Sequence, residues 1–186
     1  MQSIDPQEFL KWAFSDFMSN ALRGVLAEYI VAKALGSDPE PRIQWDAYDL
    51  TTPDGLTTIE VKSSGYLQSW DQEQDSVLRF DIARKQVWDE EKGKRSGKAV
   101  RFADIYVFCI FSATDRTSAD PLDLKQWFFL ACRTAFLNEN FKDQKSIGLS
   151  PLEQHGLKHL TFEDLAEEIA DLAKPPKKGL RSKKSR

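Results

Sequence analysis

Asp49, Glu60 and Lys62 are the residues whose types and spacing could do chemistry together. They flank a turn signal, Pro53-Asp54-Gly55. There proline presets φ, aspartate bonds locally and glycine supplies a positive φ. The flanks, 45–51 and 56–63, are rich in strand formers, so the segment reads as an antiparallel hairpin. With a loop of Pro53-Asp54, or of 52–55, Asp49 pairs with Thr58 and Ala47 with Glu60. Side chains alternate faces along a strand. Asp49, Thr58, Glu60 and Lys62 then share one face, while Ile59 and Val61 take the other. Asp49 and Glu60 become diagonal neighbours, roughly 7–8 Å apart at the backbone. A loop of odd length reverses the choice and makes Asp46 the carboxylate, so Asp46 is held in reserve. Two carboxylates at that spacing can reach one cation. With a lysine beside them they suit holding a divalent metal next to a phosphodiester and activating water for attack. The plainer reading is an ordinary polar face of a hairpin, where alternating charges are common.

Those strands need a second element to complete the site. Residues 20–35 read as a helix, capped at its start by Ser19 or Asn20 and ended by Gly36. Ala21, Val25, Glu28, Ala32 and Leu35 recur at three- and four-residue steps, a stripe expected to face the core. Glu28 is the one charge in it. A carboxylate there is costly unless paired, hydrogen-bonded or bound to a cation. One reading pairs it with an arginine such as Arg23; the other points it at the metal.

Taken together, Arg23-Gly24-x-Leu26-Ala27-Glu28-Tyr29 on a helix, then Asp49, then Glu60-Val61-Lys62 with Ser63-Ser64 resembles the PD-(D/E)XK superfamily of restriction-endonuclease-like nucleases. The resemblance is specific over 22–64 and extends loosely to about residue 149. Tyr48 stands where the superfamily usually has the proline before its aspartate. The resemblance implies a fold and a set of roles. Asp49 and Glu60 would bind the metal, helped by the backbone carbonyl of Val61. Glu28 would bind the metal or its water from the helix. Lys62 would position or deprotonate the attacking water. Hard oxygen ligands suit Mg²⁺ or Mn²⁺ and not zinc. The implied fold is α/β (α+β), a restriction-endonuclease-like core with a mixed β-sheet flanked by helices in the order αβββαβ.

The remaining elements are read to fit that order. Asp5-Pro6-x-Glu8 starts a helix with Phe9, Trp12, Ala13 and Phe17 on its apolar face. Residues 77–83 read as a third strand and 84–91 as a helix. Residues 105–111 are a continuous apolar run, expected of a central strand buried on both faces. Residues 127–132 are another, and 146–149 a short edge strand. Thr161-x-x-Asp164 caps a last helix with Leu165, Ile169 and Leu172 facing in. One domain, 1–173, is expected, followed by a basic tail at 174–186 expected to be disordered.

Charge distribution bears on the partner. The net charge is −3, from 26 Lys and Arg against 29 Asp and Glu. Seven of the basic residues lie in 174–186, which has no acids; the rest of the chain carries 19 basic residues against 29 acidic ones, a net of −10. Such a body is unusual for a protein that binds DNA over a broad surface. Nucleic-acid contacts are therefore expected to be local. One place is the tail. Another is the basic segment 92–98, read as a mobile loop with Lys94, Arg95 and Lys98 as phosphate contacts. Arg84, Lys85 and Gln86 lie where some members of the superfamily carry a polar residue near the scissile phosphate. The alternative is ordinary polar residues on a helix surface.

Other chemistries fall away. Cys109 and Cys132 sit inside apolar strands without paired spacing, as buried free thiols of a reducing compartment do. His155 and His159 have metal-pair spacing but Gly156 and no carboxylate between them. Gly93-x-x-x-Gly97-Lys98 is one residue short of a phosphate-binding loop and has Ala99 in place of the hydroxyl residue. No apolar run is long enough to span a membrane, and a cytoplasmic protein is expected. Three functions survive: a Mg²⁺-dependent endonuclease of restriction or defence type acting on DNA, with a homodimer plausible; a repair, recombination or phage-replication nuclease; and a catalytically silent nucleic-acid- or protein-binding domain of the same fold.

Overall fold

The computed structural model describes residues 3–37, 47–89 and 94–175, with the side chains of 87–89 and 94–96 outside the description. The reserve carboxylate Asp46 and residues 92–93 and 176–186 also lie outside the described residues.

The centre is a four-stranded mixed sheet. Its members are β1 (Leu50–Thr51), β2 (Thr58–Gly65), β6 (Ile105–Phe111) and β7 (Trp127–Arg133), in the order β1-β2-β6-β7. β2 runs parallel to β6; β1 and β7 are antiparallel to their neighbours. All seven residues of β6 are buried, as its unbroken apolar sequence predicts for a strand covered on both faces. Its alternation divides the core. Ile105, Val107, Cys109 and Phe111 join Ile59 and Val61 against helices α2 (Asn20–Ala34) and α5 (Leu165–Ala173). Tyr106, Phe108 and Ile110 face the other way, with Phe80, Ile82, Leu137, Ile147 and Leu152.

That second layer is built from short pieces. β3 (Arg79–Asp81) pairs antiparallel with β8 (Ser146–Gly148) as a two-stranded ribbon outside the main sheet. Helices α3 (Thr134–Asn140) and α4 (Leu149–Gln154) fill the space around it. β4 (Lys85–Asp89) and β5 (Lys94–Val100) form a hairpin of their own. Arg101 ties this region down: it is buried and donates to the Ile82 carbonyl at 2.7 Å, to Asn138 Oδ1 at 2.7 Å and to the Gln144 carbonyl at 3.3 Å.

Two expectations need correction. The strand expected at 77–83 is only three residues long and does not extend the main sheet. The helix expected at 84–91 is instead β4, and the expected mobile basic loop is strand β5. Val87 and Trp88 are strand formers, and a basic seven-residue partner follows across a short connection, so pairing outweighs the weak helical periodicity. The order αβββαβ is therefore not reproduced, although the coarser class, a mixed α/β fold with a mixed sheet, holds.

The N-terminal helix α1 (Pro6–Ala13) forms with Asp5 as cap, its side chain accepting from the Gln7 amide at 2.7 Å. It buries none of its residues; Phe9, Trp12 and Phe14 gather into an exposed aromatic cluster. No helix among the described residues is long and apolar enough to cross a membrane.

Candidate active site

β1 and β2 are joined by a side-chain-stapled loop. Thr52 Oγ1 accepts the Thr57 amide at 3.1 Å and donates to Asp54 Oδ1 at 2.6 Å, and Asp54 Oδ1 accepts the Leu56 amide at 3.0 Å. Gly55, at φ 72°, takes the left-handed conformation that glycine tolerates. These bonds widen the loop, and the ladder closes as Leu50↔Ile59 and Thr51↔Thr58. The register is thus two residues from the expected pairing of Asp49 with Thr58. A shift of two preserves parity, so Asp49 stays on the side of Glu60.

The shift brings Asp49 closer to its partner carboxylate than a diagonal neighbour. Its amide donates to the Ile59 carbonyl at 3.0 Å, and its Oδ2 accepts the Val61 amide at 2.7 Å. Both contacts bracket Glu60. In an extended strand one residue's N–H and C=O point to the same side, so the Val61 carbonyl also faces Asp49. Burial pushes the Asp49 carboxyl above its ordinary range. The Val61 amide opposes this, and the Glu60 and Glu28 carboxylates push further upward.

Glu60 is buried, 4% exposed, on the sheet face that carries Tyr106. Its Oε1 accepts two ammonium groups: Lys62 Nζ at 2.5 Å and Lys85 Nζ at 3.1 Å. Tyr106, level with Glu60 on β6, has its phenol pushed upward by burial first and by Glu60 second. Sequence reasoning passed over Tyr106. The available signal was a polar-tipped ring within an otherwise apolar strand.

Glu28 comes from α2, whose start is capped by Ser19 Oγ accepting the Leu22 amide at 3.3 Å. The expected core stripe is rotated. Ala21 and Val25 are exposed, whereas Arg23, Ala27, Ile30, Val31 and Ala32 are buried. The larger aliphatic residues take the sheet side, which leaves Glu28 half-buried at its margin, near enough to raise Asp49. Arg23 serves a different purpose. At 3% exposed, it donates to the Leu67 carbonyl at 2.8 Å and to Asn20 Oδ1 at 2.5 Å, locking the chain after β2 against α2.

The nucleic-acid candidates separate. Lys85 enters the carboxylate cluster. Arg84 pairs with Asp143 at 2.9 Å, and Gln86 Nε2 donates to the Gly97 carbonyl at 2.9 Å across the β4–β5 hairpin. Lys98 is exposed, and the Lys94 and Arg95 side chains lie outside the description. The histidines go separate ways: His155 sits against Phe141, while His159 stacks on Phe128 and pairs with Glu153 at 2.7 Å. A cavity of about 450 Å³ lies by the β7 end, α3 and α5, with none of the cluster residues in its lining.

The expected donors, the Asp49, Glu60 and Glu28 carboxylates with the Val61 carbonyl, are all oxygen, as a hard cation requires. In the present rotamers, no three His, Cys, Asp or Glu side chains among the described residues converge closely enough to hold a metal ion. The positive charge on Glu60 comes from the two ammonium groups, which stand in for a cation. In chemistry these are the hard oxygen donors a divalent cation takes, although the described side chains are not gathered into a metal-holding cluster.

A scan against protein-family models matches none of them, and a search of curated proteins finds no match.

Proposed function

We propose that the chain is a metal-dependent nuclease that hydrolyses DNA phosphodiester bonds, an endonuclease of restriction or defence type on a restriction-endonuclease-like core. One observation carries this reading: Lys62 lies against buried Glu60 while Asp49, bonded to Val61, lies alongside and is raised by burial first and then by two further carboxylates. Repelling carboxylates gathered beside a lysine are costly to stability unless they serve a cation.

The residues that would hold Mg²⁺ or Mn²⁺ are Asp49, Glu60 and the Val61 carbonyl, with Glu28 reaching in from α2. Such a cation, when bound, lowers the pKa of a water and neutralises charge on the phosphate. Lys62, with a side chain 19% exposed, would orient the attacking water through its ammonium donors and stabilise the charge that develops on the phosphate. The Val61 amide holds the Asp49 carboxylate against rotation. The acidic body leaves nucleic-acid contact to local groups, of which Lys85 is the one at the cluster. Pairing of two copies would bring two such sites to the two strands of a duplex.

Purified protein with supercoiled plasmid and Mg²⁺ or Mn²⁺ tests the reading. Nicking or linearisation supports an endonuclease, shortening of linear DNA alone supports an end-acting enzyme, and cleavage confined to RNA moves the substrate class. No cleavage of any of these by wild type overturns the catalytic reading. A second reading, a silent nucleic-acid- or protein-binding domain, is favoured by the two lysines on Glu60 and by the net −10 outside the tail.

A further inference from the structure

Glu60 is held by two lysines of unlike origin. Lys62 lies two residues along the same strand and its side chain is 19% exposed; Lys85 arrives from β4, outside the main sheet, with a side chain 45% exposed. Resting on the nuclease reading above, we propose that Lys85 is a displaceable internal counter-ion that sets the affinity of the Asp49–Glu60 site for its divalent cation.

A buried carboxylate without a cation is destabilising, and the protein meets that need with two ammonium groups on one oxygen. A divalent ion approaching the same carboxylate meets both positive charges, and repulsion at this range is strong in a partly dry site. One ammonium must move. Lys62 is fixed to the strand that carries Glu60. Lys85 keeps nearly half of its side chain in water, so its ammonium regains solvent on leaving at little desolvation cost. Glu28, half-buried on α2, lies near enough to raise Asp49, and the two negative charges add attraction for whichever cation is present. Lys85 thereby keeps the site neutralised and closed to metal at low concentration, and frees a cation beside the site when metal binds.

Calorimetric titration of MnCl₂ and MgCl₂ into the full chain tests this. Lys85→Ala and Lys85→Met, the latter retaining the apolar stem, bind Mn²⁺ roughly tenfold tighter than wild type. Lys85→Arg keeps the charge and stays near wild type. Lys125→Ala, an exposed lysine on the short turn before β7, leaves affinity unchanged. Equal or weaker Mn²⁺ binding by both Lys85→Ala and Lys85→Met overturns the counter-ion role while leaving the metal site standing. No binding by wild type or by either variant, with native circular dichroism, overturns the metal site and the counter-ion together.

Discussion

Asp49 Oδ2 accepts the Val61 amide at 2.7 Å, so the carboxylate proposed to hold a metal is already fixed by the backbone of the strand that carries Glu60 and Lys62. The bond serves a carboxylate that its neighbours make unfavourable. The carboxyl is raised by burial and then by Glu60 and Glu28, against the lowering pull of the amide. A raised carboxyl means that the folded protein loses stability as pH rises from the unfolded pKa through the folded one, and the deficit persists above it.

Asp49→Asn retains an oxygen for the Val61 amide and removes the repelling charge. It is expected to stabilise the metal-free protein at neutral pH by about 1 kcal/mol, a Tm increase of roughly 2–4 °C, with the difference vanishing at acidic pH. Thermal melts at several pH values measure this. Mg²⁺ is expected to raise the Tm of wild type and to leave that of this variant unchanged.

Lys62→Ala separates chemistry from binding. Cleavage is expected to fall by at least about 100-fold with Mg²⁺ affinity kept or strengthened, whereas Asp49→Asn and Glu60→Gln weaken metal binding itself. Calorimetry beside single-turnover cleavage reads both quantities. Equal metal affinity in all three variants would defeat the assignment of roles.

Gly65 ends β2 where Arg23 passes over it. A Cβ there would lie 3.2 Å from Arg23 Cζ and Nη1 and from Phe111 Cβ. Arg23 is buried and tied to Leu67 and Asn20, and Phe111 is core, so neither yields cheaply. Gly65→Ala is expected to destabilise by about 1–3 kcal/mol, read from the urea midpoint.

The two cysteines are expected to be inert. Burial pushes the Cys132 thiol up to about 12 and the Cys109 thiol well above its ordinary value. Both remain protonated at pH 8, and a thiol-specific reagent should label neither until denaturant is added. Rapid labelling of native protein would show that β6 and β7 open readily.

The sequence by itself determined some of the local elements and the parity of the site. Ser19 and Gly36 delimit α2, the apolar run marks β6, and the period of two along 58–62 puts Glu60 and Lys62 on one face with Asp49. These signals arise between near neighbours, where capping, turn chemistry and alternation act. Tertiary structure decided which distant groups meet. Bonds among Thr52, Asp54 and Leu56 moved the register by two and set Asp49 against Val61. Packing of Ile30 and Val31 on the sheet turned α2 and moved Glu28 to the margin. A strand rather than a helix brought Lys85 to Glu60, 25 residues away in the chain. A buried carboxylate must find positive charge, but its own sequence does not say from where; that depends on the chain segments that fold around it.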